Sequence, residues 1–420
     1  MSSPTADPPV TQEREFWVLA GYAAVLGVFG AFGGLVSLGI IKLGERWGTD
    51  SSPGWFGGHW WWVAVTAAAG VTVGLLRRLT RLPKEVPGLF EDLRAERVAP
   101  GLVPGTIAVS AVSLIGGASV GPEKLLSCMG GGAGSWMAQR RGLRKEDLQV
   151  NTLAGIAGIF GGLFSSPVIV VMLILEVVRP GGPRFSKTLV TDIIAGSVSF
   201  GIYFAIAGAV FLGDYQVPRY TFEDWQLLAG IPLGLFGALV TTVAVGFTML
   251  ASRLLEQLKV PAIARSTLGG MMFGIVGVAL PLTMFSGGDR LASVLKGAST
   301  LGLGLCAAIL IAKMLTYAVS QSSGFVGGPI FPSLFIGGTA GVIVHQAIPG
   351  VPLGLAFSCL LTAVLGSLAA APFAMVLMAA ILTRVGPLQT SPILIAVVTT
   401  FLGVAGVKHF LASRAHGTHP

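Results

Sequence analysis

Two short stretches of this sequence are built to hold a small charged species with no metal, nucleophile or prosthetic group. They are Ser119-Val120-Gly121-Pro122-Glu123 and Gly327-Gly328-Pro329-Ile330-Phe331. In each, glycine and proline interrupt the chain just before an apolar run that reads as a helix. The first-turn N–H groups of such a helix lack intrahelical acceptors and carry the positive end of its dipole. A helix start of this kind holds an anion without a full positive charge. That strength suits a conducting pathway, where binding must replace hydration yet still release. Non-helical backbone at membrane depth must be buried in protein or line a wet cavity, which makes the breaks at 116–122 and 322–332 the first places to look.

Other chemistry is sparse. Glu123, Lys124, Glu176, Asp192 and Lys313 fall inside apolar segments, where ionisable groups are costly and therefore functional candidates. Glu123 most simply favours the start of its own helix, with a gating role as the alternative. Glu123 and Lys124 could also pair locally, and Glu176 with Arg179 reads as a helix end. His59, His345, His409, His416 and His419 form no metal-ligand spacing with Cys or carboxylates. No phosphate-binding loop, nucleophile elbow or zinc-protease motif is present. No cofactor or metal is expected, and the chain is not expected to be an enzyme.

The elements that must position these breaks are membrane helices. The 420 residues are 53% hydrophobic and 11% charged, against about a quarter charged in ordinary soluble domains. Runs without Asp, Glu, Lys or Arg extend over Phe16–Ile41, Leu148–Leu175, Trp225–Ser252 and Ser266–Gly288. Each exceeds the roughly 20 residues that cross a hydrocarbon core. Met314–Thr383 holds no charged side chain apart from a protonatable His345, and Gly and Pro divide it into several segments. Helical segments are predicted near 16–43, 60–76, 102–117, 122–139, 150–178, 187–212, 225–257, 264–285, 300–320, 330–347, 353–367, 371–384 and 390–412. The 60 glycines suit close helix packing in lipid. Trp55, Trp60, Trp61 and Trp62 read as an interfacial belt, or alternatively as core packing.

The pattern repeats. Val120 to Ser127 with Gly131-Gly132-Ala133-Gly134 is echoed by Val326 to Ser333 with Gly337-Gly338-Thr339-Ala340-Gly341. Ser165-Ser166-Pro167 is echoed by Ala370-Ala371-Pro372 at nearly the same offset. Paired broken helices in repeated halves point to a transport site near the midplane. The expected organisation is an N-terminal tail at 1–15, a first membrane repeat at 16–212, a linker at 213–224, a second repeat at 225–412 and a tail at 413–420.

The net charge of +8 falls mainly at segment ends: Arg77, Arg78, Arg81 and Lys84; Arg140, Arg141, Arg144 and Lys145; Arg253; Lys408 and Arg414. This is a positive-inside distribution facing anionic lipid, not a nucleic-acid surface. It places the chain in the plasma membrane with both termini on the cytoplasmic side. Cys128, Cys306 and Cys359 are expected to be buried packing residues and not a disulfide framework.

Three signatures, in order, resemble the CLC chloride channel/transporter family. Pro83-Lys84-Glu85-Val86-Pro87 followed by Gly88-Leu89-Phe90-Glu91-Asp92 stands for the first. Ala118-Ser119-Val120-Gly121-Pro122 stands for the second, and Ser322-Ser323-Gly324 leading to Gly328-Pro329-Ile330-Phe331-Pro332 for the third. The resemblance runs from about 16 to 412. It implies an all-α inverted-repeat membrane fold with a separate pore in each protomer of a homodimer, and an anion (chloride by default) held where helix N-termini converge. Lys84, Glu85, Val86, Ser119–Pro122 and Gly327–Phe331 are then the pore residues.

The departures carry as much as the matches. The family's gating glutamate corresponds to Val120, and its inner proton-transferring glutamate to Val177. With both gone, the expected activity is passive, proton-uncoupled anion conduction. The alternative is an anion/proton exchanger using a non-standard carboxylate such as Glu123. Lys84 replaces a family serine and is either an electrostatic aid or an ordinary flank residue. Pro329 removes a backbone donor. No tyrosine follows Tyr317, so the family's C-terminal pore tyrosine is absent. A membrane-embedded enzyme acting on lipid-linked substrates would need a cluster of carboxylates or histidines at one face, which the sequence does not offer.

Overall fold

A computed structural model describes residues 14–49, 59–208 and 215–416, leaving the side chains of 45–49 and 414–416 aside. Trp55, His419, most of the N-terminal tail, the last four residues of the C-terminal tail and the start of the 213–224 linker lie outside the described residues. Among the described residues the chain is helical and contains no strand. Eight helices are long and apolar enough to cross a membrane.

The helices are α1 Arg14–Thr49, α2 Trp61–Leu79, α3 Leu89–Ala95, α4 Val103–Ile115, α5 Glu123–Arg140, α6 Lys145–Leu163, α7 Pro167–Val178 and α8 Pro183–Ala207, then α9 Trp225–Gln257, α10 Ala262–Ala279, α11 Gly288–Lys296, α12 Leu303–Ser322, α13 Ile330–Ala347, α14 Leu353–Ala369, α15 Pro372–Thr383 and α16 Thr390–His416. The repeat shows in their order and lengths. α5 and α13 have 18 residues each, and α7 and α15 have 12 each. Both 12-residue helices begin on proline, whose missing N–H costs nothing at a first turn. Both end on an arginine in the left-handed conformation, Arg179 and Arg384. The short members α4, α7, α14 and α15 are apolar but fall below a full span.

Two elements escaped the hydropathy reading. α3 is seven residues long with three charges, and α11 is nine residues with a charged face, so neither produces an apolar run. The segment predicted at 264–285 also ends early. α10 stops at Ala279, and the chain makes a single tight turn at Pro281–Thr283.

Two compact units emerge. The first comprises Met1–Val36, Leu89–Val103 and Leu126–Phe211. Its core is α6, fifteen of whose nineteen residues are buried, packed on α8. Backbones meet there at glycines: a Cβ on Gly161 would strike the backbone of Gly196. The second comprises Ser37–Gly88, Pro104–Leu125 and Leu212–Pro420. In it α10 lies along α2, α13 along α14 and α9 along α16. Trp62 belongs to this core and donates its indole N–H to the Met284 sulfur at 2.8 Å, whereas Trp60 and Trp61 are exposed. The tryptophan cluster is therefore divided between packing and surface. Cys128, Cys306 and Cys359 are buried, and none is in a disulfide among the described residues.

A buried lysine ties down the turn after α10. Lys313 on α12 is fully buried and donates to the carbonyls of Thr283 and Phe285, at 3.1 and 2.8 Å. Its ammonium also lies over the Phe335 ring, 5.1 Å from the centroid. A buried charge here satisfies carbonyls of the non-helical segment that follows α10.

Candidate anion site

Within the second unit the two glycine–proline breaks meet. Gly121 and Gly328 exchange backbone hydrogen bonds, each N–H donating to the other's carbonyl at 2.8 Å. This antiparallel bridge satisfies four backbone groups that neither helix can satisfy. It brings the start of α5 against the start of α13, so residues some two hundred positions apart share one small site.

Val120 is fully buried beside this bridge and packs directly on Gly327. Ser119 is also buried. Its N–H donates to the Ser320 hydroxyl at 3.1 Å, and its own hydroxyl has no protein partner. Ser113 caps the far side by accepting the Val326 N–H at 3.1 Å. Pro122 is buried and starts α5 at Glu123, while Pro329 stands immediately before α13.

Glu123 does not stay on its own helix. Its fully buried carboxylate reaches the start of α13, where Oε1 accepts the Phe331 N–H at 2.8 Å. The amides of Ile330 and of Glu123 itself also face it. Oε2 is buried without a hydrogen-bond partner. Glu123 stands in the first turn of α5, as the sequence suggested, and in addition its carboxylate reaches across to the start of α13. The sequence hid this because the contact spans 208 positions and the break before α13 lacks a donor at Pro329. The first donors therefore fall at Ile330 and Phe331, within reach of a long side chain. The glycines leave the room: a Cβ on Gly121 or on Gly328 would collide with Oε2.

Tyr317 and Gln321, one helical turn apart on α12, border the same place. Gln321 donates to the Gly327 carbonyl at 3.3 Å, its amide nitrogen is 3.5 Å from the Tyr317 hydroxyl, and Tyr317 feels the Glu123 charge. Neither was singled out from the sequence, where they read as ordinary α12 residues.

The Pro83–Pro87 turn behaves differently. Lys84 is 60% exposed and pairs with Glu256 at 2.5 Å, Glu85 is exposed and Val86 half-buried. The side chain of Lys84 is thus engaged at the surface. What joins this turn to the site is Arg77, which the sequence presented as one flank arginine among several. Its guanidinium donates to the carbonyls of Pro83 and Lys84 at 2.5 and 2.7 Å, and to Gly324 at 3.0 Å. One planar fork therefore holds two loops. Gly324 has φ +102°, which a side chain would strain, and it opens the loop running to Gly328. In the first unit, Val177 lies half-buried in the last turn of α7.

Comparison with known proteins agrees with this geometry. The family model described as voltage gated chloride channel matches residues 69–404, far more than half of the chain. The chain belongs to the CLC family. Relatives named YfeO, for ion transport, are 28% identical in Salmonella choleraesuis over 71% of this chain and 72% of the relative. In Salmonella schwarzengrund the identity is 26%, over 82% and 85%. Among solved structures, a slow cyanobacterial Cl−/H+ antiporter superposes with a TM-score of 0.77 at 17% identity, covering 97% of this chain and 99% of that one. A CLC-type fluoride/proton antiporter gives 0.73 at 18%, covering 92% and 94%. The chain is thus a multi-pass CLC membrane protein with the family's inverted-repeat fold, and ion transport is its function.

Proposed function

We propose that this CLC protein conducts a small inorganic anion, chloride by default, passively and without proton exchange, and that Glu123 is its internal competitor for the site. The observation that carries the reading is the pair Val120 and Glu123. Val120 lies against the Gly121–Gly328 bridge and can take up no proton, whereas the Glu123 carboxylate already takes the Phe331 N–H that an anion would use. Anion and carboxylate exclude each other from one helix start, and protonating the carboxyl frees it. The related structures act on chloride and fluoride, which supports the anion class. Each protomer carries its own pathway, the protomers pair as a homodimer in the plasma membrane with both termini cytoplasmic, and the protein works as a conduit, not as an enzyme.

The experiment is anion efflux from liposomes holding the purified protein, with valinomycin clamping voltage and external pH recorded together. Rapid chloride loss without proton uptake is expected, faster at acidic pH. Glu123→Gln removes the competing charge, so it should raise efflux and flatten its pH dependence. A second reading is favoured by the same carboxylate: Glu123 could carry protons in exchange for anions. Proton movement in fixed proportion to chloride, abolished by Glu123→Gln, would establish that exchanger and reject passive conduction.

A further inference from the structure

A positively charged cavity lies away from the glycine bridge, at the C-terminal end of α2. It encloses about 490 Å³ between that end and the start of α10. Arg77, Arg78, Lys84 and Arg265 line it, and no acidic residue does. Two of these cations are already engaged, Lys84 by Glu256 and Arg77 by three carbonyls. The Arg265 Nε–H is buried without any hydrogen-bond partner, and Arg77 and Arg265 feel each other's positive charge. Ala262 and Ile263, the first residues of the 18-residue α10, complete the wall, so the positive end of that helix also points here.

The Glu256 carboxylate offsets part of this charge, pairing with Lys84 and feeling Arg265, but three guanidinium groups face one carboxylate and the Arg265 Nε–H stays unsatisfied, which favours a further anion here. We propose that this cavity binds the phosphate of an anionic membrane lipid. Guanidinium forks match a tetrahedral oxyanion with two parallel hydrogen bonds to separate oxygens, whereas a spherical halide offers both donors only one centre. Lipid is favoured over free phosphate by the surroundings. Val71, Leu75 and Leu79 recur at four-residue intervals along one exposed face of α2, and Leu79 is 76% exposed. That face leads up to Arg78 and offers a bed for an acyl chain. Basic pockets between membrane helices take lipid headgroups on this principle. Arg77 is shared with the Pro83–Lys84 and Gly324 loops, so an occupied cavity stiffens the supports of the anion site.

The test is native mass spectrometry of the full chain in mild detergent, titrated with phosphatidylglycerol, with phosphatidylcholine or with inorganic phosphate. Wild type should retain phosphatidylglycerol at least roughly tenfold more tightly than phosphatidylcholine. Arg265→Gln and the exposed Arg78→Gln should each erode that preference, while Arg265→Lys keeps part of it through charge alone. Size-exclusion profiles matching wild type show that the variants are folded, and Arg78 supplies a second variant should Arg265 be needed for folding. Equal retention of the two lipids, or an unchanged preference in both glutamine variants, would overturn the site. Inorganic phosphate that displaces phosphatidylglycerol at millimolar concentration and alone stabilises the protein as much would assign the cavity to free phosphate and overturn the lipid assignment.

Discussion

At the residue scale, a few side chains decide how the anion site behaves, and Gly328 is the sharpest test after Glu123. A Cβ there meets the Glu123 side chain, its Oε2, Cδ and Cβ. Gly328→Ala should lower the melting temperature, and combining it with Glu123→Ala should recover part of the loss, because the carboxylate contacts go while the Cβ contact stays. The non-additivity of the double-mutant cycle is the readout, and simple additivity would place the carboxylate elsewhere. Lys313 gives a stability prediction of a different kind. Lys313→Met leaves the Phe285 carbonyl without its buried donor, at a cost of about 1–3 kcal/mol, and leaves Thr283 with only the longer bond from the Thr316 hydroxyl. Thermal unfolding in detergent should show a drop of several degrees, and an unchanged transition would mean that water replaces the ammonium.

At the scale of elements, the site depends on where helices are forced to stop. α5 and α13 present free first-turn amides because proline precedes each and the chain before them is occupied by the Gly121–Gly328 bridge. Arg77 then fixes the loops that feed those starts. Arg77→Lys keeps the charge but cannot reach three carbonyls with one planar group. It should slow anion efflux and loosen the 83–87 and 324–328 segments, which amide hydrogen exchange would register as faster exchange there. Lys84→Ala, by contrast, removes an exposed ion pair worth little, and stability should stay within about 0.5 kcal/mol of wild type.

At the scale of the whole molecule, glycine contacts and buried polar groups replace the hydrophobic drive that lipid does not supply. α6 packs on α8, and α13 on α14, through backbone approaches that even one methyl group would obstruct, as at Gly161 and Gly337. Pairing of protomers is a prediction at this scale. Light scattering in mild detergent should return twice the chain mass, and a monomer mass would remove the homodimer from the functional proposal.

What the sequence determined by itself was what periodicity and composition carry. Long uncharged runs fixed the membrane class, and the echo of 120–127 in 326–333 fixed the repeat and located both breaks. It named Val120, Gly121, Gly328 and Phe331, because glycine and proline act on their own backbone. It missed α3 and α11, whose few residues and charged faces make no apolar run. It placed Glu123 at the start of α5, where it lies, but not the reach of its carboxylate to α13, and it left Arg77 among flank arginines. Long side chains choose partners through space, and the Phe331 amide and the Gly324 carbonyl come within reach of Glu123 and Arg77 only when the two breaks pair. That pairing, and the basic cavity beside α10, belong to the tertiary structure, because each joins groups more than 180 residues apart in the chain.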